Sequence, residues 1–177
     1  MTLLATLALA VALGACGHKE EHVLHGTTEG AYLDLGGMKY QVQISRVLNP
    51  NSPEDRAYLV GVDESERQLP AGQDWFAVFM RVENETGDPQ RAASDYTITD
   101  TAATKFRPID LGEENVFAYR PDTVAPEGLL PVPDSPAAES TTQGALLLFR
   151  IPTRNLENRP LELSIRAGET ATVDLDI

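Results

Sequence analysis

The segment Trp75-Phe76-Ala77-Val78-Phe79-Met80-Arg81-Val82 carries apolar side chains at both parities of an extended chain. Successive side chains of a strand point to opposite faces. Phe76, Val78, Met80 and Val82 therefore share one face, and Trp75, Ala77 and Phe79 share the other. Water on either side would meet a row of large apolar groups. The segment belongs in the interior of a sheet, covered on both faces by packed layers or by the core on one side and a loop on the other.

The rest of the chain reads as shorter strands of period two. Met38, Tyr40, Val42 and Ile44 alternate with Lys39, Gln41, Gln43 and Ser45, which marks a half-buried strand. Asn49-Pro50-Asn51-Ser52-Pro53 ends it, Glu54 to Gly61 reads as a helical turn or a short strand, and Glu64 to Asp74 reads as loop. Tyr96 and Ile98 alternate inward and form a hairpin with Lys105-Phe106-Arg107. Pro121, Pro126, Pro131, Pro133 and Pro136 exclude a helix interior or a central strand and predict a long surface connection. Gly144 to Ile151 is a buried strand. Leu161, Leu163 and Ile165, then Val173, Leu175 and Ile177, form a hairpin turned at Gly168. Short strands with turn signals between them and no long helix predict an all-β, two-sheet antiparallel sandwich. A closed barrel is the alternative that periodicity leaves open.

The N-terminal part has a different character. Leu3 to Leu13 is an apolar run too short to span a bilayer, and it ends at Leu13-Gly14-Ala15-Cys16. Small residues before a cysteine resemble the lipobox of bacterial lipoproteins. The resemblance implies a signal peptide over residues 1–15, cut before Cys16, and a diacylglycerol on the Cys16 thiol. Residues 16–30 then form the lipidated Cys and a polar, flexible tether, followed by one domain over residues 31–177. Cys16 is the only cysteine, so a lipidated chain has no thiol for a disulfide, a metal site or a nucleophile. The chain carries 27 acidic against 14 basic residues, a net charge of −13. That charge opposes nucleic acid and anionic membrane surfaces, so attachment to the membrane falls to the lipid, with no cofactor expected.

Candidate chemistry is sparse. The three histidines, His18, His22 and His25, all fall within the expected tether. On a helix they would share a face and offer imidazole ligands to Zn²⁺ or Cu²⁺, although binding would also have to order the chain. A serine–histidine device needs a rigidly held His. Asp63-Glu64-Ser65-Glu66 lacks the glycine and the spacing of an EF-hand, and Glu113-Glu114 reads as solvated charge. Leu129, Leu130 and Val132 stand in the proline-rich connection as the apolar residues outside the strand pattern. They serve either as a partner-binding loop or as cover for a sheet edge.

Trp75 to Asn84, the hairpin Tyr96-Thr97-Ile98-Thr99-Asp100 to Phe106, and Leu148-Phe149-Arg150-Ile151-Pro152 together resemble bacterial lipoproteins that carry an extracellular immunoglobulin-like domain of unknown function. The similarity runs from about Tyr40 to Ile177 by pattern. It implies an immunoglobulin-like β-sandwich and supplies no catalytic residues. The expectation is a non-enzymatic binding or interaction module, anchored through Cys16 to the extracytoplasmic face of the cell membrane, with an envelope protein as a possible partner. The alternatives are a weak metal carrier using the histidines and a cell-envelope enzyme using carboxylates.

Overall fold

A computed structural model describes residues 23–176. The expected signal peptide, Cys16, His18 and His22 lie outside the described residues. In chain order the strands are β1 (His25–Gly26), β2 (Tyr32–Leu35), β3 (Met38–Leu48), β4 (Gln73–Asn84), β5 (Gln90–Arg91), β6 (Asp95–Thr99), β7 (Lys105–Phe106), β8 (Thr123–Val124), β9 (Leu129–Leu130), β10 (Ala145–Pro152), β11 (Leu161–Ala167) and β12 (Glu169–Leu175). Four short helices intervene: α1 (Pro53–Tyr58), α2 (Glu64–Arg67), α3 (Pro136–Glu139) and α4 (Thr153–Leu156).

Two sheets face each other. One has the order β1-β12-β11-β6-β7, and the other has β10-β4-β3-β2 with β9 also paired to β4. The fold is an all-β sandwich. The orders β12-β11-β6 and β10-β4-β3 match strands G-F-C and E-B-A of immunoglobulin-type sandwiches. A ribbon of β5 and β8 lies outside both sheets.

The two parities of Trp75–Val82 enter two separate cores. Phe76, Val78, Met80 and Val82 join the inter-sheet core with Tyr40, Ile98, Phe149, Leu163 and Val173. Trp75, Ala77 and Phe79 join a second cluster with Leu48, Tyr58, Leu59, Leu111 and Leu148 on the outer face of the same sheet. That outer cluster is covered by α1 and by the chain from Ile109 to Ala118. Asn115 ties the cover together, its Nδ2 donating to the carbonyls of Tyr58 at 3.0 Å and Val60 at 2.8 Å. Pro53 starts α1 at a position where no backbone N–H is needed, with Glu54 and Asp55 favourably placed in its first turn. Burial alone would raise the Asp55 carboxyl. The Arg46 guanidinium at 2.6 Å and the Asn49 N–H at 2.7 Å outweigh it and hold the group below its ordinary value.

The stretch Glu64 to Asp74, expected as loop, holds α2, which Asp63 caps, and the first residues of β4. Three further expectations change. First, the alternation of β3 breaks between Val42 and Ile44 at a β-bulge. One extra residue moves every later side chain to the opposite face. Ile44 is therefore 40% exposed, and Ser45 takes the buried position. Second, the stretch expected as tether up to Gly30 is bound to the sandwich from Val23 onward. His25 and Gly26 pair in parallel with Thr172 and Val173, and the Val23 carbonyl accepts from the Asp34 N–H at 2.8 Å. Glu29 accepts the Ser45 N–H at 3.0 Å and the Asp176 N–H at 3.0 Å. The segment shows no periodicity because its bonds run through backbone and polar side chains. Third, the proline-rich connection contains β8, β9 and α3. β8 and β9 fit between prolines, and α3 begins on Pro136 with Ser135 as its cap.

Candidate binding groove

The outer face of the β10-β4-β3-β2 sheet is divided. Residues directly opposite on paired strands share a face, so Tyr32, Gln41 and Arg81 form one row across β2, β3 and β4. Beyond Phe79 the apolar cover stops, and this polar row is open to solvent on one side. The other side is walled by the proline-rich connection.

β9 explains the position of that wall. β10 pairs with β4 only as far as Met80, and Leu130 and Leu129 then continue the line opposite Val82 and Glu83. Asn84 fixes the connection from below. Its buried Nδ2 donates to the carbonyls of Asp88 at 2.9 Å, and of Val124 and Ala125 at 3.0 Å each, while its Oδ1 accepts from Thr86. On the far side, Gly144 lies so close to β4 that a Cβ there would approach the Phe79 carbonyl carbon and Cβ to 3.0 Å, at a φ of +121°. Only glycine accepts both the contact and the conformation.

Between wall and floor lies a concavity of about 230 Å³. Gln43 and Arg81 form its floor, Leu129, Pro131, Pro133 and Ala138 its apolar side, and Glu139 and Gln143 its polar rim. The bulge displaces Gln43, whose Nε2 donates to Gln41 Oε1; Gln41 Nε2 in turn donates to the Gly30 carbonyl at 2.7 Å. Arg81 stands 3.7 Å from Glu83, with its side chain 42% exposed.

The three apolar residues singled out in the connection have separate places. Leu130 is buried in the inter-sheet core. Leu129 is half-buried at the groove. Val132 is 62% exposed and lines a second hollow with Arg120, Val124 and Leu130. His25 pairs with the Thr172 hydroxyl through Nδ1 at 2.7 Å. Among the described residues no three His, Cys, Asp or Glu side chains converge as metal ligands. Asp63 caps α2 by accepting the Ser65 N–H at 2.9 Å. Among the described residues no helix is long and apolar enough to cross a membrane.

Gln43, Arg81, Glu139 and Gln143 were not singled out from sequence. Arg81 had a signal, a lone charge in the otherwise apolar run Trp75–Val82. Gln43 is one of the polar residues that alternate with Met38, Tyr40 and Val42, which places it on the outer face without marking it as a site residue.

Two other polar features serve the fold. Tyr40 and Tyr119 satisfy both backbone groups of Ala93: the Ala93 N–H donates to the Tyr40 hydroxyl at 2.9 Å, and the Tyr119 hydroxyl donates to the Ala93 carbonyl at 2.8 Å. Tyr96 packs edge-on against Tyr119 at 5.1 Å, and burial pushes its hydroxyl pKa well above the ordinary value. At the opposite end of the sandwich, Asp100 Oδ2 accepts from Asn155 at 2.8 Å and Asn158 at 3.0 Å, which holds its pKa at about 2.

No family model and no curated protein matches the chain. Solved structures similar to it include two from bacteria. The yjhA protein from Bacillus subtilis is 13% identical, with a TM-score of 0.51 over 85% of this chain and 99% of that one. An uncharacterized beta-sandwich protein from Clostridium difficile 630 is 14% identical, with a TM-score of 0.47 over 85% and 95%. At such identity the likeness to the yjhA protein is one of fold.

Proposed function

We propose that this chain is a lipid-anchored module of the bacterial cell envelope that binds a ligand through the groove beside β9 without transforming it. The observation that carries the binding half is the groove itself. A polar floor on a rigid sheet meets an apolar wall, and the wall is fixed by β9, by Asn84 and by the close approach of Gly144. Binding residues on a well-supported scaffold need little reorganisation on complex formation. The immunoglobulin-like strand order is in keeping with an interaction domain, though fold alone does not assign one.

The anchoring half is supported by Leu13-Gly14-Ala15-Cys16. From Cys16 to Val23, where the chain joins the sandwich, full extension reaches about 25 Å. The groove would thus work close to the extracytoplasmic membrane surface, with the net charge of −13 opposing collapse onto anionic lipid.

Mass spectrometry of the native protein tests the anchor. A diacylglyceryl group on Cys16 is expected, and Cys16→Ser should leave the membrane fraction. An unmodified thiol on the mature protein refutes it. A photo-crosslinking residue at Gln143 tests the groove in intact cells. Recovery of an adduct that is absent when the probe stands at Glu157, away from the groove, supports the reading; equal labelling at both sites refutes it.

A further inference from the structure

We propose that the groove recognises a neutral oligosaccharide, with one sugar ring seated between Arg81, Gln43 and the Leu129–Pro131 wall and the neighbouring ring laid toward Tyr32. The proposal rests on the groove being the binding surface and names the chemistry it selects.

The floor is the face of a sheet and not its edge. Gln41 is paired with Tyr32 on one side and Arg81 on the other, so an incoming peptide finds no free strand to extend there. Recognition runs through side chains. Those available are the amides of Gln43 and Gln143, the guanidinium of Arg81 and the carboxylate of Glu139. Each is a planar group offering two or more hydrogen-bonding atoms side by side. Adjacent hydroxyls of a sugar, each both donor and acceptor, are the complementary partner. The single cation and single anion of this set cancel, and Glu83 stands 3.7 Å from Arg81. An anionic ligand would meet both carboxylates and the field of a chain with a net charge of −13.

Sugars also present C–H faces. Leu129, Pro131 and Pro133 supply an apolar surface with few rotatable bonds, and Tyr32, 49% exposed at the end of the Gln41–Arg81 row, supplies an aromatic one. A rigid wall and a ring that orders at low entropic cost suit a ligand whose own apolar area is small. Gln43 stands two residues beyond Gln41 and shares its outer face, where its amide joins Arg81 on the groove floor.

The test is isothermal titration of the full chain, purified in a zwitterionic detergent lacking a sugar headgroup, with maltotriose, cellotriose and triacetylchitotriose in turn. Binding of at least one is expected. Arg81→Ala should weaken it by about tenfold or more, the effect of losing a hydrogen bond to a charged group. Tyr32→Ala should weaken it and Tyr32→Phe should restore it, whereas Val132→Ala should have no effect. Melting curves confirm that the variants are folded, and Tyr32 and Arg81 are exposed enough for substitution. No binding to any of the three sugars, or binding indifferent to Arg81→Ala and Tyr32→Ala, overturns the proposal. If sugars fail while the Gln143 probe still forms its adduct, the groove stands as a site and the ligand class is wrong. If both fail, the groove is not the site.

Discussion

Phe79→Ala removes the side chain on which the outer core turns. Phe79 is wholly buried, lies 5.1 Å edge-on from Tyr58, and through Tyr58 connects to Phe117 at 5.0 Å. It thus joins the central strand to both pieces of the outer cover. Truncating a buried Phe costs about 3–5 kcal/mol, the sum of lost transfer energy and the cavity left behind. Loss of the edge-to-face contact with Tyr58 is part of that figure, at about 0.5–1.5 kcal/mol. Collapse into the space is restricted, because β4 is held on both sides by β3 and β10. The upper half of the range is therefore expected. Against a total stability of about 5–15 kcal/mol the loss is large, and it corresponds to a fall in melting temperature of about 8–20 °C. Thermal unfolding followed by circular dichroism is the assay. Val47→Ala, at a side chain 42% exposed on the neighbouring strand, is the control and should stay within about 0.5 kcal/mol. A Phe79→Ala melting curve superimposed on that of the parent would refute the placement of this residue between two packed layers.

Three further outcomes follow from particular residues. Leu130→Ala should destabilise by about 2–5 kcal/mol because the side chain sits in the inter-sheet core, while Val132→Ala, two positions on and exposed, should leave the chemical denaturation midpoint almost unmoved; equal effects would show that β9 is wrongly registered. Asp100 has its folded pKa lowered from 3.8 to about 2 by hydrogen bonds from Asn155 and Asn158, so its contribution to stability is present above about pH 4 and lost as the pH falls toward 2. Glu29 acts in the opposite sense: burial raises its pKa despite the Ser45 bonds, and its contribution is lost as the pH rises through the raised value. Carboxyl NMR titration reads both groups, and an Asp100 midpoint at its ordinary value would refute the assignment.

Much of the architecture is legible one segment at a time. Trp75–Val82 announces a doubly covered strand because period two is a local property and burial on both faces follows from it. The hairpin turned at Gly168 and the exclusion of long strands from Pro121 to Pro136 are equally local, since each follows from allowed backbone angles and lost N–H donors. The N-terminal apolar run with its cysteine is likewise a matter of sequence.

Tertiary structure decided the rest. That Leu129–Leu130 pairs with β4 depended on β10 stopping at Met80 and leaving β4 open beside Val82. The residues from Val23 to Gly30 became part of the sandwich because β12 and the bulged end of β3 had unpaired backbone groups within their reach, and Leu24 packs against the inter-sheet core. The groove needed β9 seated beside β4, an event with no signature in its own neighbourhood. A strand records in its sequence which faces are dry. Which neighbour dries them is set by partners remote along the chain, and a site built from loops and face residues arises only when those partners meet.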